Sequence, residues 1–199
     1  MRLTKLIMFG LVFALAAGFA LAAETRDPED YFFNLNSGDF KAEAADAKSA
    51  GKKALLVMFE QDGCPGCLYM KQNVLNRVEV QNFYRQRFLN FSVNTFGSVP
   101  IRDFSGRDLT EKSYAQSAGI RGTPTFLFYD LSGAEVARIV GPVKSAEDFM
   151  LLGEFVASGA YKTRKFAEYL QSQRKKAACR TWPPFTGTGS INGSLLIDA

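Results

Sequence analysis

Histidine is absent from this chain of 199 residues, and cysteine is scarce, with only three copies. Without histidine there is no Ser-His-Asp or Cys-His catalysis and no histidine ligand for a metal ion. A tetrahedral zinc site built on three cysteines would also need carboxylates or a second chain. The sequence therefore predicts neither a metal site nor a cofactor.

A strong excess of charge of one sign is also lacking. The 24 basic and 20 acidic residues give a formal net charge of +4, and two of the basic residues, Arg2 and Lys5, lie in a segment that we expect to be removed. The remaining charge is too weak and too dispersed to indicate nucleic-acid binding. Hydrophobic residues make up 47% of the chain and charged residues 22%, which is typical of one globular domain.

The first 22 residues have the pattern of a secretory signal peptide. Arg2 and Lys5 form a basic start, an uncharged apolar run follows over residues 6–20, and Ala20-Leu21-Ala22 gives a small-x-small cleavage pattern. The alternative is a membrane anchor that stays in place, but the apolar run is short for a full span. We predict cleavage and a periplasmic location, where thiols meet oxidising conditions.

Two cysteines, Cys64 and Cys67, stand where a predicted strand gives way to a predicted helix. Residues 54–70 read ALLVMFEQDGCPGCLYM. A helix N-terminus carries unpaired N–H groups and partial positive charge, which stabilise a thiolate there. Pro65 suits the first helical turn because its missing N–H costs nothing at that position. We expect Cys64 to be outermost and to ionise first, with Cys67 more buried and placed to attack a mixed disulfide on Cys64.

The rest of the pattern predicts an α/β domain. Apolar runs and alternation predict strands, and apolar spacings of three or four predict helices. The predicted strands are 54–59, 88–95, 125–129 and 134–140, and the predicted helices include 39–50, 110–119, 145–157 and 163–173. In the helix after the cysteines, the apolar stripe is predicted to run through Leu68, Val74, Leu75 and Val78. Residues 96–109 are interpreted as a loop or small hairpin. The short connection at 130–133 makes the last two strands antiparallel, whereas crossover helices make the earlier strands parallel.

The sequence Cys64-Pro65-Gly66-Cys67 after a strand, with Gly122-Thr123-Pro124 before a later one, resembles the thioredoxin superfamily. Within it, FEQDGCPGC, RGTPTFLFYD and VARIVGP look like the exported sulfur-oxidation-type thioredoxins, the SoxW/SoxS-like group. They are less closely similar to the C-terminal thioredoxin domain of transmembrane disulfide reductases. The resemblance covers about 39–157 and implies a thioredoxin-like three-layer α/β/α sandwich with a mixed central sheet.

This resemblance also suggests how the chain is divided. We expect a signal peptide over 1–22, a thioredoxin-like domain over 23–178 with its C-terminal helix at about 163–173, and a flexible tail over 179–199. The third cysteine, Cys179, follows a basic run near this tail. It is expected to be a free thiol or to form an incidental intermolecular disulfide.

The resemblance implies a role for each matching position. Cys64 would be the nucleophile and Cys67 the resolving thiol. Pro124 would be a cis proline facing the disulfide, which would leave the Thr123 backbone free to pair with an extended substrate segment. Gly141 matches the glycine that lines the same groove. An ordinary trans proline in a loop is the alternative for Pro124.

The sequence departs from familiar thioredoxins at the position that usually carries a buried acid, where it has Met58. The aromatic-rich run before the first cysteine is replaced by Glu60-Gln61-Asp62-Gly63. Proton transfer during resolution must therefore use another group or water. Glu60 is our hypothesis for the acceptor of the Cys67 proton, provided that it is partly buried. A solvated or salt-bridged glutamate is the alternative.

Together these features predict an exported thiol–disulfide oxidoreductase that reduces disulfides of partner proteins. A membrane thiol-transport protein is the implied electron donor, and a monomer is expected. One alternative is a disulfide oxidase or isomerase, since the sequence does not fix the reduction potential. Others are a module in which the cysteine pair binds a soft metal such as copper(I), and a peptide-binding domain with a purely structural disulfide.

Overall fold

The computed structural model describes residues 23–181. The predicted signal peptide 1–22 and residues 182–199 of the predicted tail lie outside this range. The helices are α1 (Pro28–Tyr31), α2 (Phe40–Ser49), α3 (Pro65–Met70), α4 (Val78–Arg87), α5 (Glu111–Ser117), α6 (Ala146–Ala157) and α7 (Phe166–Thr181). A π-helical turn, Lys71–Leu75, continues α3, and a 3-10 turn, Ala160–Lys162, precedes α7. None of the helices in the described range is long and apolar enough to cross a membrane.

The strands form one main sheet and one small hairpin. They are β1 (Ala54–Glu60), β2 (Phe88–Asn94), β3 (Pro100–Arg102), β4 (Asp108–Thr110), β5 (Thr125–Tyr129) and β6 (Glu135–Val140). The main sheet has the order β2-β1-β5-β6, in which β1 is parallel to β2 and antiparallel to β5. Strands β5 and β6 form the predicted antiparallel hairpin, and β3 pairs with β4 in the 96–109 segment.

The main sheet is covered on both faces, which is why β1 is almost entirely apolar. Its side chains alternate between two cores, with Leu56 and Met58 in one and Leu55 and Val57 in the other. The first core contains residues of α3, α4, α6 and α7, and the second contains residues of α2, α5 and the β3–β4 hairpin. The predicted α/β class and the three-layer sandwich with a mixed sheet are confirmed.

Side-chain caps fix where several helices begin. Thr110 accepts a hydrogen bond from the Ser113 backbone N–H and forms a reciprocal capping box at the start of α5. Ser145 accepts from the Asp148 N–H at the start of α6. These caps satisfy N–H groups that have no partner within the helix. Both helices therefore start at the residues that the sequence predicts.

Two predicted features differ from the structure. Leu68 is 54% exposed instead of lying in the core stripe, because the inward face of this helix passes through Cys67, Met70 and Val74. The C-terminal helix runs over Phe166–Thr181 instead of 163–173 and so enters the predicted tail. Its last two turns are rich in alanine, lysine and arginine, which favour helix, and no proline occurs between residues 166 and 182.

Candidate active site

The two cysteines lie where the sequence predicts, at the carboxyl end of the central strand β1. The chain leaves β1 at Glu60, turns through Gly63 at a φ of 71°, and enters α3 with Cys64 as the N-cap residue. The Cα atoms of Cys64 and Cys67 are 5.3 Å apart and the two sulfur atoms are at disulfide distance. The fold therefore brings together the pair that the sequence singles out.

The sulfur of Cys64 is held at the start of the helix by a backbone group. The Cys67 N–H donates a hydrogen bond to Cys64 Sγ over 3.1 Å. Cys64 is 8% exposed and Cys67 is 3% exposed, so that Cys64 is the outer member of the pair, in the predicted order. A helix N-terminus with a donated N–H stabilises negative charge on sulfur once the disulfide is reduced.

Pro124 packs directly against the turn between the cysteines. The Thr123–Pro124 peptide bond is cis. A Cβ atom built on Gly66 would lie 2.9 Å from Pro124 Cδ and 3.5 Å from Pro142 Cδ. Only a residue without a side chain lets the two segments approach so closely. Gly66 thus has a packing role that its place within the motif did not reveal.

The backbone of Thr123, just before β5, is available for hydrogen bonding. Within the described part of the chain, neither the N–H nor the carbonyl of Thr123 has a hydrogen-bond partner. The Gly141 N–H donates to the Pro124 carbonyl over 2.8 Å, which ties the end of β6 to the proline. Val140 beside it is 66% exposed. Thr123, Pro124 and Gly141 therefore lie side by side, as the sequence predicts.

Glu60 is half-buried and bonded on both carboxylate oxygens. Lys71 Nζ lies 2.9 Å from Glu60 Oε1 and 2.7 Å from Oε2, and Ser92 donates its hydroxyl to Oε1. The same Lys71 Nζ lies 2.7 Å from Glu29 Oε1, which belongs to α1. Glu60 is thus a salt-bridged glutamate, and its predicted role as proton acceptor remains a hypothesis.

Glu60 and Lys71 line a cavity of about 480 Å³ that is also lined by the two cysteines. It is lined by residues from three parts of the fold, namely Glu60, Gln61, Asp62, Gly63, Cys64, Pro65, Cys67, Leu68, Lys71, Ser92, Asn94 and Glu111. Both sulfurs therefore share one cleft with a carboxylate and an ammonium group. Within residues 23–181 there is no cluster of three or more cysteine, aspartate or glutamate side chains that could hold a metal ion.

A family model described as "Thioredoxin-like domain" matches residues 40–157, which is more than half of the chain. This chain belongs to the thioredoxin-like domain family. The matched range begins with the first residue of α2 and ends with the last residue of α6. It therefore includes the whole main sheet and both cysteines of this thioredoxin-like chain.

Solved structures with similar folds include a thioredoxin-fold protein from Helicobacter pylori. It is 21% identical with a TM-score of 0.58, over 79% of this chain and 95% of that chain. The oxidised C-terminal domain of DsbD from Neisseria meningitidis is 20% identical with a TM-score of 0.46, over 63% of this chain and 98% of that chain. A thioredoxin from Thermus thermophilus is 26% identical with a TM-score of 0.43, over 70% and 88%. No curated protein matches the chain. The first of these likenesses supports the fold.

Met58 gives this thioredoxin-like chain an apolar group beneath the cysteines. It is fully buried in the same core cluster as Cys64 and Cys67. No carboxylate can act from that position. The ionisable side chains that line the same cavity as the cysteines are Glu60, Asp62, Lys71 and Glu111. Among them, Lys71 stays cationic: burial would lower its pKa, but hydrogen bonds and charge from Glu29 and Glu60 raise the pKa above its ordinary value.

Several residues of the site were not predicted. Lys71 lies four residues after Cys67, at the start of the π-helical turn that continues α3, and this spacing could have indicated a shared face. Ser92, Asn94 and Glu111 come from β2 and α5, and their sequence neighbourhoods carry no signal for this cleft. Glu111 accepts a hydrogen bond from the Asn94 N–H over 3.1 Å, which joins the two elements at its rim. Only the tertiary fold brings these side chains to the cysteines.

Proposed function

We propose that this protein is an exported thiol–disulfide oxidoreductase that reduces disulfides of partner proteins through Cys64 and Cys67. The observation that carries the proposal is the position of the pair, with Cys64 Sγ at a helix N-terminus, Cys67 at disulfide distance, and Pro124 packed against Gly66 between them. Membership of the thioredoxin-like domain family supports the same chemistry.

In the proposed reaction, the Cys64 thiolate attacks one sulfur of a substrate disulfide. A Cys64–substrate disulfide forms and the other substrate sulfur leaves as a thiolate. The Cys67 thiol then gives up its proton and attacks Cys64 Sγ, which releases the second substrate sulfur as a thiolate. Two electrons pass to the substrate, and the protein is left with a Cys64–Cys67 disulfide.

The substrate is proposed to bind as an added strand beside Pro124. The unpartnered N–H and carbonyl of Thr123 supply main-chain hydrogen bonds to an extended segment. Gly141 presents no side chain, so that the segment can lie close to the backbone at that position. The exposed side chain of Val140 gives an apolar contact at the same edge.

Glu60 is proposed to accept the proton of Cys67 during resolution. It lines the same cavity as Cys67 and keeps a carboxylate oxygen, Oε2, whose one described partner is Lys71. A buried acid cannot accept this proton from the position that usually carries one, because that position is Met58 in this chain. Lys71 and Ser92 hold the carboxylate in place, and their roles are to position it.

Further features of the proposal come from the sequence pattern. The Pro65-Gly66 pair and the resemblance to sulfur-oxidation-type, SoxW/SoxS-like thioredoxins favour the proposed reducing direction. The basic and apolar pattern of residues 1–22 supports export to the periplasm. A reductase in an oxidising compartment needs a supply of electrons, so that a membrane thiol-transport protein is the proposed donor. The protein is proposed to act as a monomer.

A disulfide-reduction assay tests the proposal. The mature protein, with dithiothreitol as the electron source, is expected to accelerate the reduction of insulin disulfides. Cys64→Ser and Cys67→Ala should each return the rate to that of dithiothreitol alone, whereas Cys179→Ser should retain the wild-type rate. An inactive wild-type protein, or full activity in Cys64→Ser, would refute the proposed function.

A further inference from the structure

A second concave surface lies at the opposite end of β1 from the cysteines. Its volume is about 600 Å³, and it is lined by Arg26, Asp30, Tyr31, Lys52, Asn82, Arg85 and Gln86. Lys52 comes two residues before β1 begins, whereas Cys64 follows the end of that strand. A seven-residue strand separates the two by roughly 20 Å. None of the lining residues belongs to the cavity beside the cysteines.

Arg26 is held in a fixed position by neutral groups. Its Nε donates to Gln81 Oε1 over 3.0 Å and its Nη2 to Asn82 Oδ1 over 3.1 Å. The guanidinium carbon lies 4.6 Å from the centre of the Tyr31 ring. These contacts order the side chain without neutralising its charge.

The other two cations are held in the same way. Arg85 Nη1 donates to the carbonyl oxygens of Asp30 and Phe33, over 3.2 and 3.3 Å. Lys52 Nζ donates to the Arg85 carbonyl over 2.5 Å. Across residues 23–181, none of these three cations forms an ion pair with a carboxylate. Asp30 is the one acidic residue in the lining, so that the surface carries a net positive charge.

We propose that this surface binds an oxyanion of the phosphate or sulfate type. Two arginines offer planar N–H groups that match phosphate and sulfate oxygens, and a lysine adds a point charge. Because neutral acceptors already order these side chains, little conformational entropy is lost when an anion binds. The volume fits a small molecule. The anion is either free in solution or the headgroup of an anionic lipid, since both present the same oxygens.

The test is a calorimetric titration of the mature protein with pyrophosphate at low ionic strength. We expect saturable binding with one site, which weakens as salt is added. Lys52→Gln and Arg26→Gln should each weaken it roughly tenfold, the usual loss for one hydrogen bond to a charged group. Lys41→Gln is the matched control: it removes the same charge from an exposed site on α2, which packs on the other face of the sheet.

A parallel arm separates the two sources of the anion. Flotation with phosphatidylglycerol vesicles, compared with phosphatidylcholine vesicles, reports binding to a lipid headgroup. Binding to pyrophosphate alone assigns a free oxyanion, and binding to anionic vesicles that is lost in Lys52→Gln assigns a headgroup. The proposal is overturned if neither probe binds, if Lys41→Gln weakens binding as much as Lys52→Gln, or if only an acidic peptide such as polyglutamate binds. Reductase activity does not enter this test, so its outcome is independent of the proposed function.

Discussion

Glu60 is the residue proposed to accept the Cys67 proton in place of a buried acid. Its carboxylate lies at the end of β1 in the cleft that contains Cys67, and Lys71 bridges it to Glu29. Met58 has no carboxylate, so that if Glu60 takes the Cys67 proton, the rate of resolution depends on the Glu60 carboxylate. General-base assistance of this kind contributes about 10²-fold or more to a rate.

The variant Glu60→Gln should therefore slow resolution of the mixed disulfide and change its pH–rate profile. The measurement is stopped-flow resolution of a preformed Cys64–peptide disulfide between pH 4 and 9. Glu29→Gln is the control. It also replaces a carboxylate that pairs with Lys71, but Glu29 does not line the cavity beside the cysteines, so this variant should keep the wild-type profile. A profile of Glu60→Gln that coincides with the wild type would exclude Glu60 from proton transfer.

Gly66 is a second residue whose substitution is expected to change activity. Its backbone has no positive φ, so that alanine is allowed by conformation, but a Cβ atom would lie 2.9 Å from Pro124 Cδ. Gly66→Ala must therefore displace the proline or the start of α3. Displacements on this scale cost up to about a hundredfold in reactions that depend on alignment. We expect a folded protein whose reductase kcat/KM falls by about tenfold or more.

The control for this variant is Gly122→Ala, because a Cβ atom at Gly122 would meet nothing within 4 Å. Circular dichroism and thermal unfolding establish that both variants fold. If Gly66→Ala kept the wild-type kcat/KM, the close approach of Pro124 to the cysteine turn would have no part in substrate binding or attack.

At the scale of elements, the turn of the β3–β4 hairpin contains a buried carboxylate, that of Asp103. Asp103 is 5% exposed in its side chain and accepts from the Ser105 N–H, the Arg107 N–H and the Arg107 guanidinium. Burial alone would raise the pKa of Asp103, but these hydrogen bonds outweigh burial and bring the pKa below its ordinary value. The hairpin packs Ile101 and Phe104 into the core that also contains Tyr114 of α5.

Asp103→Asn is expected to lower the free energy of unfolding at pH 7 by about 1–3 kcal/mol, because the charged hydrogen bonds to Arg107 are lost. Since the folded-state pKa is lowered, the carboxylate stabilises the fold fully above about pH 4 and loses this effect as the pH falls through the folded value. Urea unfolding at pH 7 and pH 3 should therefore show a smaller difference between variant and wild type at pH 3.

Asp108→Asn serves as the comparison within the same hairpin. Asp108 is 77% exposed in its side chain and pairs with Arg102, so the change should cost less than about 1 kcal/mol at either pH. Equal losses in the two variants would show that the hairpin does not depend on the buried carboxylate.

The elements themselves could be predicted well because their signals are local. The apolar run of β1, the caps Thr110 and Ser145, and the short turn between β5 and β6 each act within a few residues. The π-helical turn after α3 has no local signal, although its buried side chains, Val74 and Leu75, belong to the predicted apolar stripe. Residues 23–38 carried too little periodicity to predict α1, although Asp27 caps it and Pro28 begins it.

The parts of the site that depend on contacts between distant segments could not be predicted from the sequence. Cys64, Cys67 and Pro124 belong to motifs, so their roles could be proposed from spacing and resemblance. The Lys71–Glu29 and Glu111–Asn94 contacts join segments 17 to 42 residues apart in the chain. Gly66 belongs to the motif between the cysteines, but its close approach to Pro124 depends on how β5 pairs with β1.

On the scale of the whole molecule, the two ends of β1 lead to two different surfaces, one with the cysteines and one with a cluster of cationic side chains. The carboxyl end of β1 leads to the cysteines, and its amino end begins beside the cationic surface around Lys52. The Glu29–Lys71 ion pair and the Arg85 contacts with the Asp30 and Phe33 carbonyls tie the segment around α1 to both ends. This segment lies before the matched family range of 40–157.

Cys64 is proposed to exchange disulfides with partner proteins, and Cys67 is proposed to resolve the mixed disulfides. Cys67→Ala should accumulate covalent complexes with periplasmic proteins in an exporting host, and mass spectrometry of non-reduced digests should find the link at Cys64. The double variant Cys64→Ala/Cys67→Ala should accumulate none. Complexes that persist in the double variant, or links found at Cys179 instead of Cys64, would contradict this account.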